Sequence, residues 1–388
     1  FIIVSADTRT KKILGYSNEG QFNYLNIPDN MKSWLKGYEE EIKFAINNLP
    51  DIDSNSQSSE SPSKIKSKVM NASVSPLLKS ISYNQNKPYN DSCPLLNGER
   101  TVTGCGATAL VQIMRYHQWP VHGLGANNYI SKTNGFNLGA DFGNTTYDWN
   151  NILDSYGSGV VTTDIQKAAI AQLMLHAGIA IKMDYNTSSN GGSISYTTDI
   201  APALFNYFNY DAGIQMYTRK YFKENVWKNI IISELDSKRP VLYRGGNINN
   251  EGHIFVCDGY DSNEMFHFNW GWGGISNGYF EISALNPDDQ SNGNNIGYNF
   301  GHYIITGIQK PIANSVHSPL IGIDSISPSS NTIPRNGTVV LSVKKMSNIG
   351  AFDYLQNMMG VSLVLSQGGV VKDTLLIDTE WGADLHAG

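Results

Sequence analysis

The stretch "TGCGATA", Thr103 to Ala109, sets a cysteine between two glycines directly ahead of an apolar pattern. A free cysteine is ordinarily a small buried hydrophobe, and Cys105 taken alone fits that description. Its position suggests chemistry instead. Ala107, Leu110, Val111 and Met114 recur at helical spacing, which predicts a helix from about Gly106 with Cys105 at its mouth. A helix N-terminus offers unpaired N–H groups and a partial positive charge, so it favours thiolate over thiol. Such sites lower a cysteine pKa from ~8.5 to ~3.5–7.5. The flanking glycines are expected to leave room for a substrate carbonyl.

A thiolate nucleophile needs an acid/base partner, and the chain has eight histidines. His117 lies far along the same helix and cannot reach Cys105. His122, His317 and His386 fall in loops or terminal segments, His176 on a helix, and His302 after a glycine-rich loop. His253 opens the strand-like "HIFVCDGY". A hairpin with "EMFHFNWGW", turning at Ser262-Asn263, pairs Phe255 with Trp270 and His253 with Trp272. His253, Trp270 and Trp272 then line one side and Asn269 the other. An imidazole between two indoles is shielded from water and held in orientation, which a merely structural strand-end histidine does not require.

The elements that must position these residues follow from composition. With 388 residues, 40% of them hydrophobic, the chain can form two or three globular domains. Net charge is −6 with no basic stripe, which argues against a nucleic-acid partner, and no apolar run has the length of a membrane span. Cys93, Cys105 and Cys257 are too few for a disulfide framework, and their odd number leaves at least one thiol free. Cys257, inside a strand pattern, reads as structural. The chain opens on "FIIVSADTR" without a methionine, so a removed leader and a secreted or bacterial cell-surface location are expected.

Residues 1–50 read as a small α+β unit. "FIIVSAD" and "KKILGYS" are strands, and "NMKSWLKGYEEEIKFAINNL" is an amphipathic helix with Trp34, Tyr38, Ile42, Ala45 and Ile46 on one side. Residues 51–71 are polar and serine-rich, the composition of an exposed linker. Residues 72–312 place helices before strands, an α+β order, with "TDIQKAAIAQLMLHAGIAI" as a helix ended by Gly178. Residues 313–388 show short strands with turn signals, expected to form a truncated immunoglobulin-like β-sandwich.

The blocks "NQNKPYN", "TGCGATALVQIMRYHQWP", "MDYNTSSNGGS", "GHIFVCDGY" and "FNWGWGG" resemble, in this order, the streptopain family of secreted bacterial cysteine proteases. "VSADTRTKKILGYS" resembles that family's pro-domain, so the likeness covers about residues 1–310. It implies an α+β, papain-like catalytic domain (72–312), an inhibitory pro-domain (1–50) and an activation linker (51–71). By this likeness Cys105 is the nucleophile and His253 the general base. Gln85, in "SYNQ", resembles the oxyanion-hole glutamine, and Trp270 the tryptophan that replaces papain's orienting asparagine. Gly252 and Gly191 match positions where the cleft touches substrate backbone, and Trp272 is placed on the substrate side with them. The family implies a preference for a bulky apolar residue two positions before the cut. The expected partners are protein or peptide substrates, host proteins among them, and the chain's own pro-domain. No cofactor and no metal are expected.

Other readings of the same residues are open. Cysteine and histidine also bind zinc, but no C-x-x-C or H-x-x-x-H pair is present. A Cys–His acyltransferase or amidase uses the same dyad. An adhesin whose protease-like module only binds is the non-enzymatic alternative; loss of Cys105, His253 or Gln85 would favour it, and all three are present.

Overall fold

Apolar runs of period two become the strands of one antiparallel sheet, and the longer 3.6-period runs become helices laid against it. The computed structural model describes residues 1–19, 22–25, 27–50, 72–246, 252–285, 301–330, 332, 340–352, 358–367 and 370–382. The expected activation linker, 51–71, lies outside the described residues. The chain divides into two compact units, Phe1–Val316 and His317–Gly388.

In the first unit the order is β1 (Ile2–Val4), β2 (Ile13–Tyr16), α1 (Asp29–Asn48), β3 (Leu95–Leu96), β4 (Glu99–Arg100) and α2 (Cys105–His117). Next come β5 (Ala126–Ile130), β6 (Asn137–Asp141), α3 (Asp164–Ala180), α4 (Ile200–Phe208), β7 (Gln215–Thr218) and α5 (Glu224–Asp236). The strands β8 (Val241–Gly246), β9 (Gly252–Tyr260), β10 (Phe266–Asn269), β11 (Gly278–Phe280) and β12 (Tyr303–Thr306) follow. Eight strands form one sheet in the order β1-β2-β11-β10-β9-β8-β12-β7, with every pair antiparallel. The mixed α+β class of this unit is therefore as expected.

The N-terminal strands continue that sheet, because β2 pairs with β11 through Tyr16↔Tyr279 and Gly15↔Phe280. Gly15 makes the join possible, since a Cβ there would lie 2.6 Å from the Phe280 ring. Helix α1 then lies on the sheet. Its buried face is Asn30, Met31, Trp34, Tyr38, Glu41 and Ala45. Ile46, expected on that face, is 47% exposed, and Glu41 takes the inward place. One Glu41 oxygen accepts hydrogen bonds from the Ser283 hydroxyl and the Ala284 N–H, which explains how a carboxyl group sits there. Nearby, Lys11 Nζ lies 2.9 Å from Glu224 and 3.0 Å from Glu281, and Lys228 bridges the same two carboxylates.

Helix α3 begins with a capping box in which Thr163 and Gln166 satisfy each other's backbone N–H groups. It does not end at Gly178 but runs on to Ala180. Gly178 is needed for space instead, because the Tyr185 hydroxyl occupies the place a Cβ would take.

In the second unit β13 (Ile321–Pro328) pairs with β14 (Leu341–Asn348), and β15 (Met358–Gln367) with β16 (Val370–Gly382). Both pairs are antiparallel hairpins.

Candidate active site

Helix α2 starts at Cys105 itself, and Gly104, its N-cap, has φ 83°. That left-handed conformation favours glycine. Space demands it too: a Cβ on Gly104 would lie 2.7 Å from Met183 Sδ and 3.1 Å from the Ser193 carbonyl oxygen. A Cβ on Gly106 would lie 2.8 Å from Ser195 Oγ. The two glycines therefore admit the chain's own loop around residues 183–195, rather than holding open the room expected for a substrate carbonyl. Thr108 braces the turn, its hydroxyl donating to the Gly104 carbonyl at 3.0 Å.

All three cysteines are free, and only Cys105 is not fully buried. Burial pushes the Cys93 thiol up to about 12 and the Cys257 thiol well above its usual range, so both are inert. The Cys105 thiol is also raised, which differs from the helix-mouth expectation. Desolvation is the largest cause. The N–H groups of Ile254, Gly106 and Cys105 and the charge of Arg244 oppose it without overcoming it.

The Ile254 N–H donates to Cys105 Sγ at 3.5 Å, which brings the start of β9 against the start of α2. His253, the residue before Ile254, pairs with Gly245 of β8. Strand alternation places His253 on the face that bears Phe255, while Ile254 faces α2. Trp34 of α1 lies on the His253 face: its ring would be 2.8 Å from a Cβ on Gly245, and its centroid is 5.8 Å from Phe255.

The β9–β10 pairing bears out part of the hairpin expectation. Phe268 pairs with Cys257 and Asn269 with Val256, the register that aims Trp270 at Phe255, and those two rings are 4.6 Å apart. The connection is longer than the expected Ser262-Asn263 turn, and a bulge between His267 and Phe268 restores the register. Trp272 does not pair with His253, because β10 ends at Asn269 and Gly271, at φ 74°, turns the chain away. Asn269 points to the other side as expected, donating to the Ile81 carbonyl. Trp270 is 1% exposed, and its Nε1 donates to the Ser276 carbonyl at 2.9 Å. Its own carbonyl accepts from Asn30 Nδ2 of α1.

Gln85 lies beside the cysteine segment, its carbonyl accepting the Thr103 N–H at 3.2 Å. Gly191 sits at φ 91° on an open surface with nothing near its Cβ position. Its loop reaches the cysteine segment through Ser193, whose hydroxyl donates to the Val102 carbonyl at 2.6 Å. The Arg244 guanidinium lies across Gly252, where a Cβ would be 2.6 Å from Arg244 Cζ and would push it aside.

Four of the other histidines have partners elsewhere. His302 stacks on Trp34 with Tyr243 Oη 3.1 Å from its Nδ1, and burial beside Arg219 and Arg244 pushes it down to about 3. His176 and His117 contact the Tyr147 and Tyr210 hydroxyls. His267, unremarked in the sequence reading, pairs with Asp258 at 2.5 Å. Sequence reasoning also missed Asn30, Ser193, Ser195 and Arg244. Of these, Arg244 left a signal: it is the one charged residue in the strand "VLYRGG". No group of three or more metal-ligating side chains occurs among the described residues. No helix among them is long and apolar enough to cross a membrane.

Known proteins resemble this chain over much of its length. Residues 83–280 match the Peptidase C10 family, and residues 1–42 match the Spi protease inhibitor family. Streptopain of Streptococcus pyogenes is 36% identical over 327 residues, covering 80% of this chain and 78% of streptopain. The thiol protease/hemagglutinin PrtT of Porphyromonas gingivalis is 32% identical over 326 residues, 81% of this chain and 36% of PrtT. A solved fragment of prointerpain A from Prevotella intermedia aligns with TM-score 0.65 and 34% identity over 79% of this chain and 91% of that one. The active interpain A cysteine protease aligns with TM-score 0.53 and 37% identity over 61% and 95%. The chain belongs to the Peptidase C10 family.

Proposed function

We propose that this Peptidase C10 chain is a secreted or cell-surface cysteine endopeptidase in its zymogen form, with Cys105 as nucleophile and His253 as general acid/base. The carrying observation is the Ile254 N–H on Cys105 Sγ, which sets the cysteine at the helix mouth against the start of β9, where His253 is the second residue. The thiolate attacks the peptide carbonyl, and the imidazolium of His253 protonates the leaving amine. Water then hydrolyses the acyl-enzyme with His253 as base. Gln85, held beside Thr103, offers its side-chain amide with the Cys105 N–H as the oxyanion hole. Trp270 shields the histidine side of the sheet. Gly252, Gly191 and Trp272 border the substrate, and a bulky apolar residue is preferred two positions before the cut.

Residues 1–50 act as the inhibitory pro-domain. This reading is supported by α1, which places Trp34 over Gly245, the partner of His253, and Asn30 on the Trp270 carbonyl. Residues 51–71 are the activation linker and 72–312 the papain-like catalytic domain. Residues 313–388 form a partial immunoglobulin-like unit, for which the two C-terminal hairpins are the support. Host proteins are the proposed substrates.

Mass spectrometry of the purified full chain over time, with and without a thiol alkylator, tests the reading. Self-cleavage that stops when Cys105 carries the alkyl group is expected. Undiminished cleavage with Cys105 fully alkylated would overturn it.

A further inference from the structure

Arg244 lies on β8, opposite the start of β9. It pairs directly with Ile254, whose N–H donates to Cys105 Sγ. Residues directly opposite in an antiparallel ladder share a face, with Cβ atoms about 4.5–5.5 Å apart. Ile254 faces α2, its Cδ1 lying 3.5 Å from the Cβ position of Gly106, so Arg244 faces the cysteine's side of the sheet as well. The guanidinium folds across Gly252, with Nη2 2.7 Å and Nε 2.9 Å from where a Cβ would be. Its Nη1 donates to the Gly301 carbonyl, and its Cζ stands 5.4 Å from the centre of the Tyr303 ring. These contacts hold a permanent cation beside the backbone that leads into His253.

We infer that Arg244 is a positioning residue for the nucleophile, its guanidinium favouring the Cys105 thiolate in addition to whatever His253 contributes. The inference rests on the reading of Cys105 as nucleophile. Coulombic attraction between the two groups opposes the burial that raises the thiol. Among the described residues, few other charges face the sulfur. The first turn of α2 has no acidic side chain, and the loop against it brings Ser193 and Ser195. The sheet brings Arg244 from β8 and Tyr303 from β12 to this face, while His253 of β9 stands on the other. A second cation matters because the thiol starts from an unfavourable, desolvated position. It also explains why glycine precedes His253, since any side chain there would displace the guanidinium.

The test is the pH profile of Cys105 alkylation by iodoacetamide in the full chain, read by peptide mass in a His253→Ala background. That background removes the imidazole and keeps the chain uncleaved. Arg244→Gln should move the alkylation midpoint up by about one pH unit, a roughly tenfold loss of thiolate well below the midpoint. Arg244→Lys should recover at least half of the shift. Gly252→Ala, which keeps the charge but displaces it, should move the midpoint the same way and serves if Arg244→Gln does not fold. Superimposable profiles with unchanged circular dichroism would overturn the inference, as would a lower melting temperature with no movement of the midpoint. Because thiol titration needs no proteolysis, this result is independent of whether Cys105 is the nucleophile, which the cleavage experiment decides.

Discussion

Cys105 and Ile254, 149 positions apart in sequence, meet through one hydrogen bond from the Ile254 N–H to Sγ. That bond ties the mouth of α2 to the start of β9, and with it the thiol to the neighbourhood of His253. Cys105→Ala is therefore expected to abolish peptidase activity while leaving the chain folded, since it removes one sulfur from a half-buried site. Peptide hydrolysis and circular dichroism check it together. Appreciable residual hydrolysis would remove Cys105 from its role.

Gln85→Ala should lower kcat by about 10²–10³, the usual cost of one oxyanion donor. Little stability should be lost, because the bond that seats Gln85 runs from the Thr103 N–H to its backbone carbonyl. A variant within about threefold of the parent kcat would show that another donor serves the oxyanion.

Trp34 is the anchor of α1. Its ring contacts Tyr243, Phe255, Phe268, Trp270 and His302 at centroid distances of 5.0–6.3 Å. Trp34→Ala should cost about 3–5 kcal/mol of the contact between α1 and the sheet. The expected readout is faster self-cleavage of the full chain, with hydrogen exchange rising first in residues 29–48. An unchanged cleavage rate would separate α1 docking from inhibition.

Glu41 makes the docking of α1 depend on pH. Burial raises its carboxyl from the ordinary 4.5 to about 7, although Ala284, Ser283 and Lys11 oppose the rise. The docked state thus binds a proton more tightly than a released α1 would. Its extra stability is complete below about 4.5 and is lost as pH rises through about 7. Charged groups packed around this region are Lys11 from the β1–β2 turn, Glu224 and Lys228 from α5, and Glu281 after β11. In a Cys105→Ala full chain, Glu41→Gln should flatten the fall in melting temperature between pH 5 and pH 8. Parallel pH curves for the two chains would show that another group carries the dependence.

The activating cut is expected between Ser61 and Val74. Val74 exchanges two backbone hydrogen bonds with Tyr260, both 2.9 Å, and is 5% exposed. A mature chain that begins before Val74 keeps this bridge together with Gln85, Cys105 and His253. N-terminal sequencing of the active form decides it. A start beyond Gln85 would strip the proposed oxyanion donor and contradict the mechanism.

Local spacing was enough to locate the helix that opens at Cys105, the strand that opens at His253 and the amphipathic α1, because each is written in a period of 3.6 or 2 within a few residues. The Phe255–Trp270 contact was legible for the same reason, since strand pairing propagates by simple arithmetic from a turn. That arithmetic failed at Trp272, where the positive φ of Gly271 breaks the ladder. What lay beyond sequence was everything set by non-local packing. Glu41 replaces Ile46 on the inner face of α1 because Ser283 and Ala284, more than 240 positions away in sequence, supply donors there. Gly178 lies within α3 because a tyrosine hydroxyl needs its space. The Cys105 thiol is raised rather than lowered because desolvation comes from all the neighbours at once, whereas the helix terminus is the part of the field that sequence reveals. The residue types for the chemistry are thus set locally, and their electrostatic state is decided by what the tertiary fold packs around them.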